Sequence, residues 1–123
     1  MDLTGKWKYS EHYGYGVAEG ELYLKQEGRK LSGRIVFSDK LEGEEAYMIQ
    51  EFLTGEVNER KVKLEATEYD IIHSEYKISY ELDSWFGLLV EEAVIKGVSS
   101  DDQGVEGYFV FEKVNMPGTV KVI

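Results

Sequence analysis

With 123 residues, 42% of them hydrophobic and 31% charged, the chain has the length and composition of one folded domain with its own core, and not those of a disordered segment. Twenty-four acidic against 14 basic side chains give a formal charge of −10, which disfavours nucleic acid and anionic membrane surfaces as partners. No stretch approaches the roughly 20 apolar residues of a membrane helix, and the absence of cysteine excludes disulfides and thiolate chemistry. The N-terminus lacks the basic and apolar regions of a secretion signal, so a cytoplasmic location is expected, with the periplasm or export as the alternative if a leader has been removed.

Alternation of apolar and polar residues, interrupted by turn residues at short intervals, predicts eight strands. Gly5 to Tyr13 carries Trp7, Tyr9 and Tyr13 on one face. Gly20 to Gln26 carries Leu22 and Leu24, and the tight link Glu27-Gly28-Arg29-Lys30 leads into Leu31 to Ser38, with Leu31, Ile35 and Phe37. After an acidic loop from Asp39 to Glu45, Ala46 to Val57 forms a long fourth strand. Asn58-Glu59-Arg60 turns it into Lys61 to Tyr69, where Val62, Leu64 and Ala66 share a face. Glu75 to Asp83 alternates Tyr76, Ile78, Tyr80 and Leu82 as a sixth strand. In Ser84 to Glu92, Trp85, Leu88, Leu89 and Glu92 fall at helical spacing while Gly87 interrupts it, so a bent strand and a short helix both fit. Glu91 to Val98 and Val105 to Val114 complete the set around a turn at Ser99 to Gly104.

Short strands joined by short turns pair in chain order, as a meander. An open meander of eight leaves two edges exposed, and closure removes both. The expected fold is therefore all-β: an eight-stranded antiparallel up-and-down barrel over residues 1–114, followed by a tail over 115–123. In that tail Pro117 and Gly118 stop the last strand before Thr119 to Ile123 regain strand-like composition.

The opening Leu3-Thr4-Gly5-Lys6-Trp7 resembles the first strand of the calycin barrels, the group of lipocalins and avidins, in which a Gly-x-Trp sets the Trp across one barrel end. The resemblance implies a structural role for Trp7, covered by a basic residue of the last strand, for which Lys113 is the equivalent. A cation over an indole face contributes about 0.5–2 kcal/mol. The avidin binding residues do not carry over. Tyr9, Tyr13, Ile35 and Phe37 stand where avidins place polar contacts to biotin, so biotin is not the expected ligand.

Candidate chemistry is sparse. His12 has the opposite parity to Trp7 and should face solvent, and His73 falls in an expected loop; neither belongs to a metal-ligand pattern. Ser99 to Gly104 is too short for a calcium loop and matches a hairpin turn, while Glu42, Glu44 and Glu45 form a solvated acidic loop. More informative are Glu11 between Tyr9 and Tyr13, Glu51 between Ile49 and Leu53, and Glu68 beyond Ala66, which share parity with apolar residues. Inward carboxylates need a donor, a base, water or a ligand; at a barrel mouth they would reach solvent instead.

Eight-stranded barrels hold one small ligand or are filled by side chains. The functional expectation is non-enzymatic binding of a small, partly apolar molecule by Tyr9, Glu11, Tyr13, Ile35, Phe37, Tyr47, Glu51, Tyr80 and Phe109, with no cofactor and no metal. The alternative is an oligomeric scaffold with a filled barrel, whose outward Tyr23, Phe52, Tyr108 and Val110 meet another subunit. No nucleophile or oxyanion hole is specified, so an enzyme is not expected.

Overall fold

The computed structural model of the chain describes residues 2–13, 16–41, 47–74 and 81–114. Eight strands run in order: β1 (Gly5–Tyr13), β2 (Gly16–Glu27), β3 (Lys30–Leu41), β4 (Tyr47–Asn58), β5 (Lys61–His73), β6 (Asp83–Glu91), β7 (Val94–Asp101) and β8 (Glu106–Lys113). Each pairs antiparallel with the next, and β1 pairs with β8, so the meander closes into a barrel as expected. The link at Gly28 and Arg29 is a two-residue hairpin, with Gly28 in the left-handed region at φ 63°.

Two expectations about strand placement need correction. The sixth strand is Asp83–Glu91, in the stretch for which a helix and a bent strand both fit the spacing. Trp85, Gly87 and Leu89 face inward with period two, while Phe86, Leu88 and Val90 face out and disguise the alternation. The turn after it falls at Glu92 and Ala93, so β7 and β8 begin at Val94 and Glu106 in place of Glu91 and Val105. Most of the segment expected as the sixth strand, residues 75–80 with Tyr80, lies outside the described residues, as do Glu42, Glu44, Glu45 and the tail over 115–123.

The core is built from alternate residues of every strand, among them Trp7, Leu22, Ile35, Leu53, Leu64, Trp85, Ile95 and Phe111. Leu3 and Trp7 close the end reached by the three two-residue hairpins. The indole N–H of Trp7 donates to the Leu3 carbonyl at 2.9 Å. Lys113 stands opposite Trp7 in the β1–β8 register, with its ammonium 5.8 Å from the ring centroid and donating to the Asp2 carbonyl. Gly87 and Gly97 oppose each other across β6 and β7. A Cβ on Gly97 would sit 1.9 Å from the Phe86 carbonyl oxygen, so no larger residue fits that part of the wall.

At the opposite end the wall is less regular. β5 carries register shifts against β4 between Met48 and Ile49 and between Phe52 and Leu53. Its pairing with β6 covers only Lys61–Glu65 among the described residues, although β5 runs on to His73. This is the end from which the connections 14–15, 42–46 and 74–82 leave the strands.

Candidate functional site

At that end the barrel interior turns from apolar to acidic. The buried polar side chains among the described residues are Glu11 on β1, Asp39 on β3, Glu51 on β4 and Ser99 on β7. They arise from period two applied to long strands: Glu11 continues the row Trp7, Tyr9; Asp39 continues Ile35, Phe37; Glu51 lies between Ile49 and Leu53; Ser99 continues Ile95, Gly97. Glu11, Ala18, Asp39 and Tyr47 form one cross-strand row over β1 to β4.

Tyr9 donates its hydroxyl to Glu11 Oε1 at 2.6 Å, and Ser99 donates to Oε2 at 2.7 Å. Tyr47 donates to Asp39 Oδ2 at 2.9 Å, and the Asp83 backbone N–H donates to Glu51 Oε2 at 3.2 Å. Gly107 makes room for the Glu11 carboxylate, since a Cβ there would lie 2.7 Å from Oε2. Among the described residues three buried side-chain atoms make no hydrogen bond: Asp39 Oδ1, Glu51 Oε1 and the indole Nε1 of Trp85. That indole N–H is near enough to lower the pKa values of Tyr9 and Glu11 without bonding to either.

Burial dominates the electrostatics, because an ionised carboxylate loses its hydration there. It raises the Glu11 pKa against the opposing pull of Tyr9 and Ser99. It lifts Asp39 to about 6, against the Tyr47 hydroxyl and helped by the negative charges of Asp83 and Glu11. Glu51 rises to about 10, by burial first and then by Asp83, whose carboxyl is close enough to share a proton with it. Tyr9 is held well above its ordinary range by burial and the Glu11 charge. The strongest influences on these carboxyls are burial, hydroxyls, the indole and one another; no basic side chain is among them.

Beneath the carboxyls lies an aromatic floor. Tyr9 is its hub, with ring centroids 5.6 Å from Phe37 and 6.5 Å from Trp85, both edge-on, and 5.4 Å from Phe111. Phe109 and Phe111 are 4.7 Å apart. Edge-on and offset rings of this kind stabilise one another by about 0.5–1.5 kcal/mol per pair.

Of the residues proposed from sequence, Tyr9, Glu11, Ile35, Phe37, Glu51 and Phe109 are buried in the interior, and Tyr13 and Tyr47 are half-buried at its rim. Tyr80 lies outside the described residues. Glu68 is exposed, contrary to its parity with Ala66. The bulge at Phe52/Leu53 leaves Thr67 unpaired and reverses the alternation, so that Tyr69 faces in opposite Glu51. His12 is exposed as expected, and His73 is exposed too but ends β5 and is not in a loop. Asp39, Ser99, Asp83 and Trp85 join the site without having been expected there. The first two continue the inward rows of β3 and β7, which run past the point where turn residues suggest an end.

On the outer wall, Phe86, Val98 and Tyr108 face one another in a single row across β6, β7 and β8, and all three are exposed, Tyr108 by 75%. A groove of about 530 Å³ beside this row is lined by Phe86, Leu88 and Val98 together with Lys61, Lys63 and Lys96. Of the four outward residues expected, Phe52 and Tyr108 are exposed, while Tyr23 is half-buried under Arg34, 4.3 Å from its ring, and Val110 is half-buried.

No family model matches the chain, and no curated protein matches it. Solved structures do match. The redesigned β-barrel mFAP1, bound to DFHBI, superposes with a TM-score of 0.65 at 9% identity, covering 90% of this chain and 94% of its own. A de novo designed fluorescence-activating β-barrel superposes with a TM-score of 0.57 at 12% identity, covering 91% of this chain and 94% of its own. At these identities the likeness is one of fold alone.

Proposed function

We propose that the protein binds a small, partly apolar molecule at the carboxyl-bearing end of its barrel and does not transform it. The observation that carries this reading is the set of three buried polar atoms without a hydrogen bond, Asp39 Oδ1, Glu51 Oε1 and Trp85 Nε1, set above an aromatic floor. Leaving a buried donor or acceptor unpaired costs about 1–3 kcal/mol each, and a bound molecule that reaches them offsets that cost. That mFAP1 holds DFHBI supports a barrel of this shape as a container. The finer kinship we favour is to the calycin barrels, on the strength of Gly5-Lys6-Trp7 and the ammonium of Lys113 over that Trp.

The test uses an uncharged, environment-sensitive dye, Nile red. Saturable binding of one dye per chain is expected. Ala18→Phe, which sets a ring between Glu11 and Asp39 in their row, should weaken it at least ten-fold, and Tyr108→Ser on the outer wall should not. Equal binding by the Ala18 variant would put the dye outside the barrel and end this reading.

A second reading, assembly through the outer wall, is favoured by the exposed row Phe86, Val98 and Tyr108. Sedimentation of the protein at high concentration should then show a dimer or larger species that Phe86→Glu dissociates. A monomer throughout would leave the row a plain surface feature.

A further inference from the structure

Four carboxyls from four strands, Glu11, Asp39, Glu51 and Asp83, share the loop-bearing end and act on one another electrostatically. We propose that the molecule bound there carries a protonated organic amine, which sits among these carboxyls with the Trp85 indole beside it. This rests on the reading that the barrel interior is the binding space, and it names the chemistry of the guest.

Charge is the first argument. Carboxylates that share a dry enclosure repel one another, and the remedy is a proton or a cation. The groups acting most on Glu11, Asp39 and Glu51 are hydroxyls, the indole and other carboxyls, with no lysine, arginine or histidine among them. Orphaned atoms are the second. Asp39 Oδ1 is an acceptor without a donor, on a side chain that is 5% exposed, and an ammonium supplies three N–H donors. Trp85, 1% exposed and with its indole N–H unbonded, is not an acid, and that N–H lies near enough to Tyr9 and Glu11 to act on both. It asks the guest for an acceptor, a hydroxyl or carbonyl oxygen, close to the amine.

The spacing argues for an organic cation over a metal ion. Among the described residues no three acidic or histidine groups come close enough to hold a metal. An ammonium needs no close ligand sphere of the kind a metal ion takes, and it reaches separate carboxyls through N–H groups that point in different directions. The rings of Tyr9, Phe37 and Trp85 then supply apolar contact and, face-on, the attraction of a π-system for a positive charge.

Three probes of one shape separate charge from fit: 2-phenylethylamine, 2-phenylethanol and phenylacetate, titrated calorimetrically at pH 7. The amine is expected to bind at least ten-fold more tightly than the alcohol, with phenylacetate the weakest. In the double variant Asp39→Asn, Glu51→Gln the amine should lose its advantage while the alcohol binds as before; circular dichroism confirms that the variant is folded. If alcohol and amine bind the unmodified protein equally, or if Nile red enters the barrel and the amine does not, the amine proposal is overturned and the container reading stands. If neither the dye nor any probe binds, both fall.

Discussion

Replacing Trp7 with Ala is expected to destabilise the fold by about 3–5 kcal/mol, the usual loss for a large buried aromatic cut back to a methyl group. Trp7 is wholly buried and seals the hairpin end of the barrel, with β2 on one side and β8 on the other. Its removal leaves a cavity, frees the Leu3 carbonyl from its hydrogen bond and strips the ammonium of Lys113 of the ring beneath it. These losses fall on the β1–β8 contact that turns an open meander into a closed barrel, so they bear on the whole sheet. Urea unfolding measures the effect. Lys113→Met should cost far less, about 0.5–1 kcal/mol, because the exposed side of a cation–π pair contributes little. A Trp7→Ala loss below about 1 kcal/mol would mean that the barrel end is closed by other contacts.

The contrast between Trp7 and the acidic layer shows what is legible in the sequence. Trp7, Tyr9, Leu22, Ile35 and Phe37 announce their burial, because each sits in an alternating row close to a turn and nothing disturbs the count. The strand number and the meander follow from such rows together with the short links. The sixth strand is hidden for a physical reason: Phe86, Leu88 and Val90 are apolar on the solvent face, so the segment has no polar side and its period cannot be counted. Glu11 and Glu51 are found by parity, since their strands continue inward rows on both sides of them. Asp39 and Ser99 escape it because Asp, Ser and Gly are turn residues by propensity, while here tertiary pairing carries β3 to Leu41 and β7 to Asp101. Glu68 is placed inward by the same parity that finds Glu51. The bulge that overturns it depends on how β4 and β5 register against each other, which no single strand encodes. Asp83 enters the site through its backbone and its nearness to Glu51, and neither has a signature in a one-dimensional pattern.

The second large effect concerns pH. Stability without ligand should fall as pH rises from about 4.5 to 8, and the direction follows from proton counting. Asp39 moves from an ordinary 3.8 to about 6 on folding, and Glu51 from 4.5 to about 10; Glu11 moves the same way. Over the interval between ordinary and folded values the native state holds more protons than the unfolded one, so unfolding becomes easier with each step up in pH. For Asp39 the change runs from about pH 4 to 6 and is complete above that; for Glu51 it begins near 4.5 and continues through neutrality towards 10. Between pH 4.5 and 8 the Asp39 change alone corresponds to about 2 kcal/mol at about 1.4 kcal/mol per pH unit, enough to lower Tm by about 8 °C for a domain of this size. Differential scanning calorimetry at pH 4.5, 6 and 8 measures it. The Asp39→Asn, Glu51→Gln variant, which removes both titrations, should flatten most of the slope and be more stable than the parent at pH 8. A parent Tm that stays level or rises between pH 4.5 and 8 would show that these carboxyls are better solvated than their surroundings imply. A falling Tm carries a functional consequence. The atoms that weaken the empty barrel at neutral pH are the ones a cationic guest would neutralise, so 2-phenylethylamine should raise Tm more at pH 8 than at pH 4.5, where protons already occupy the layer.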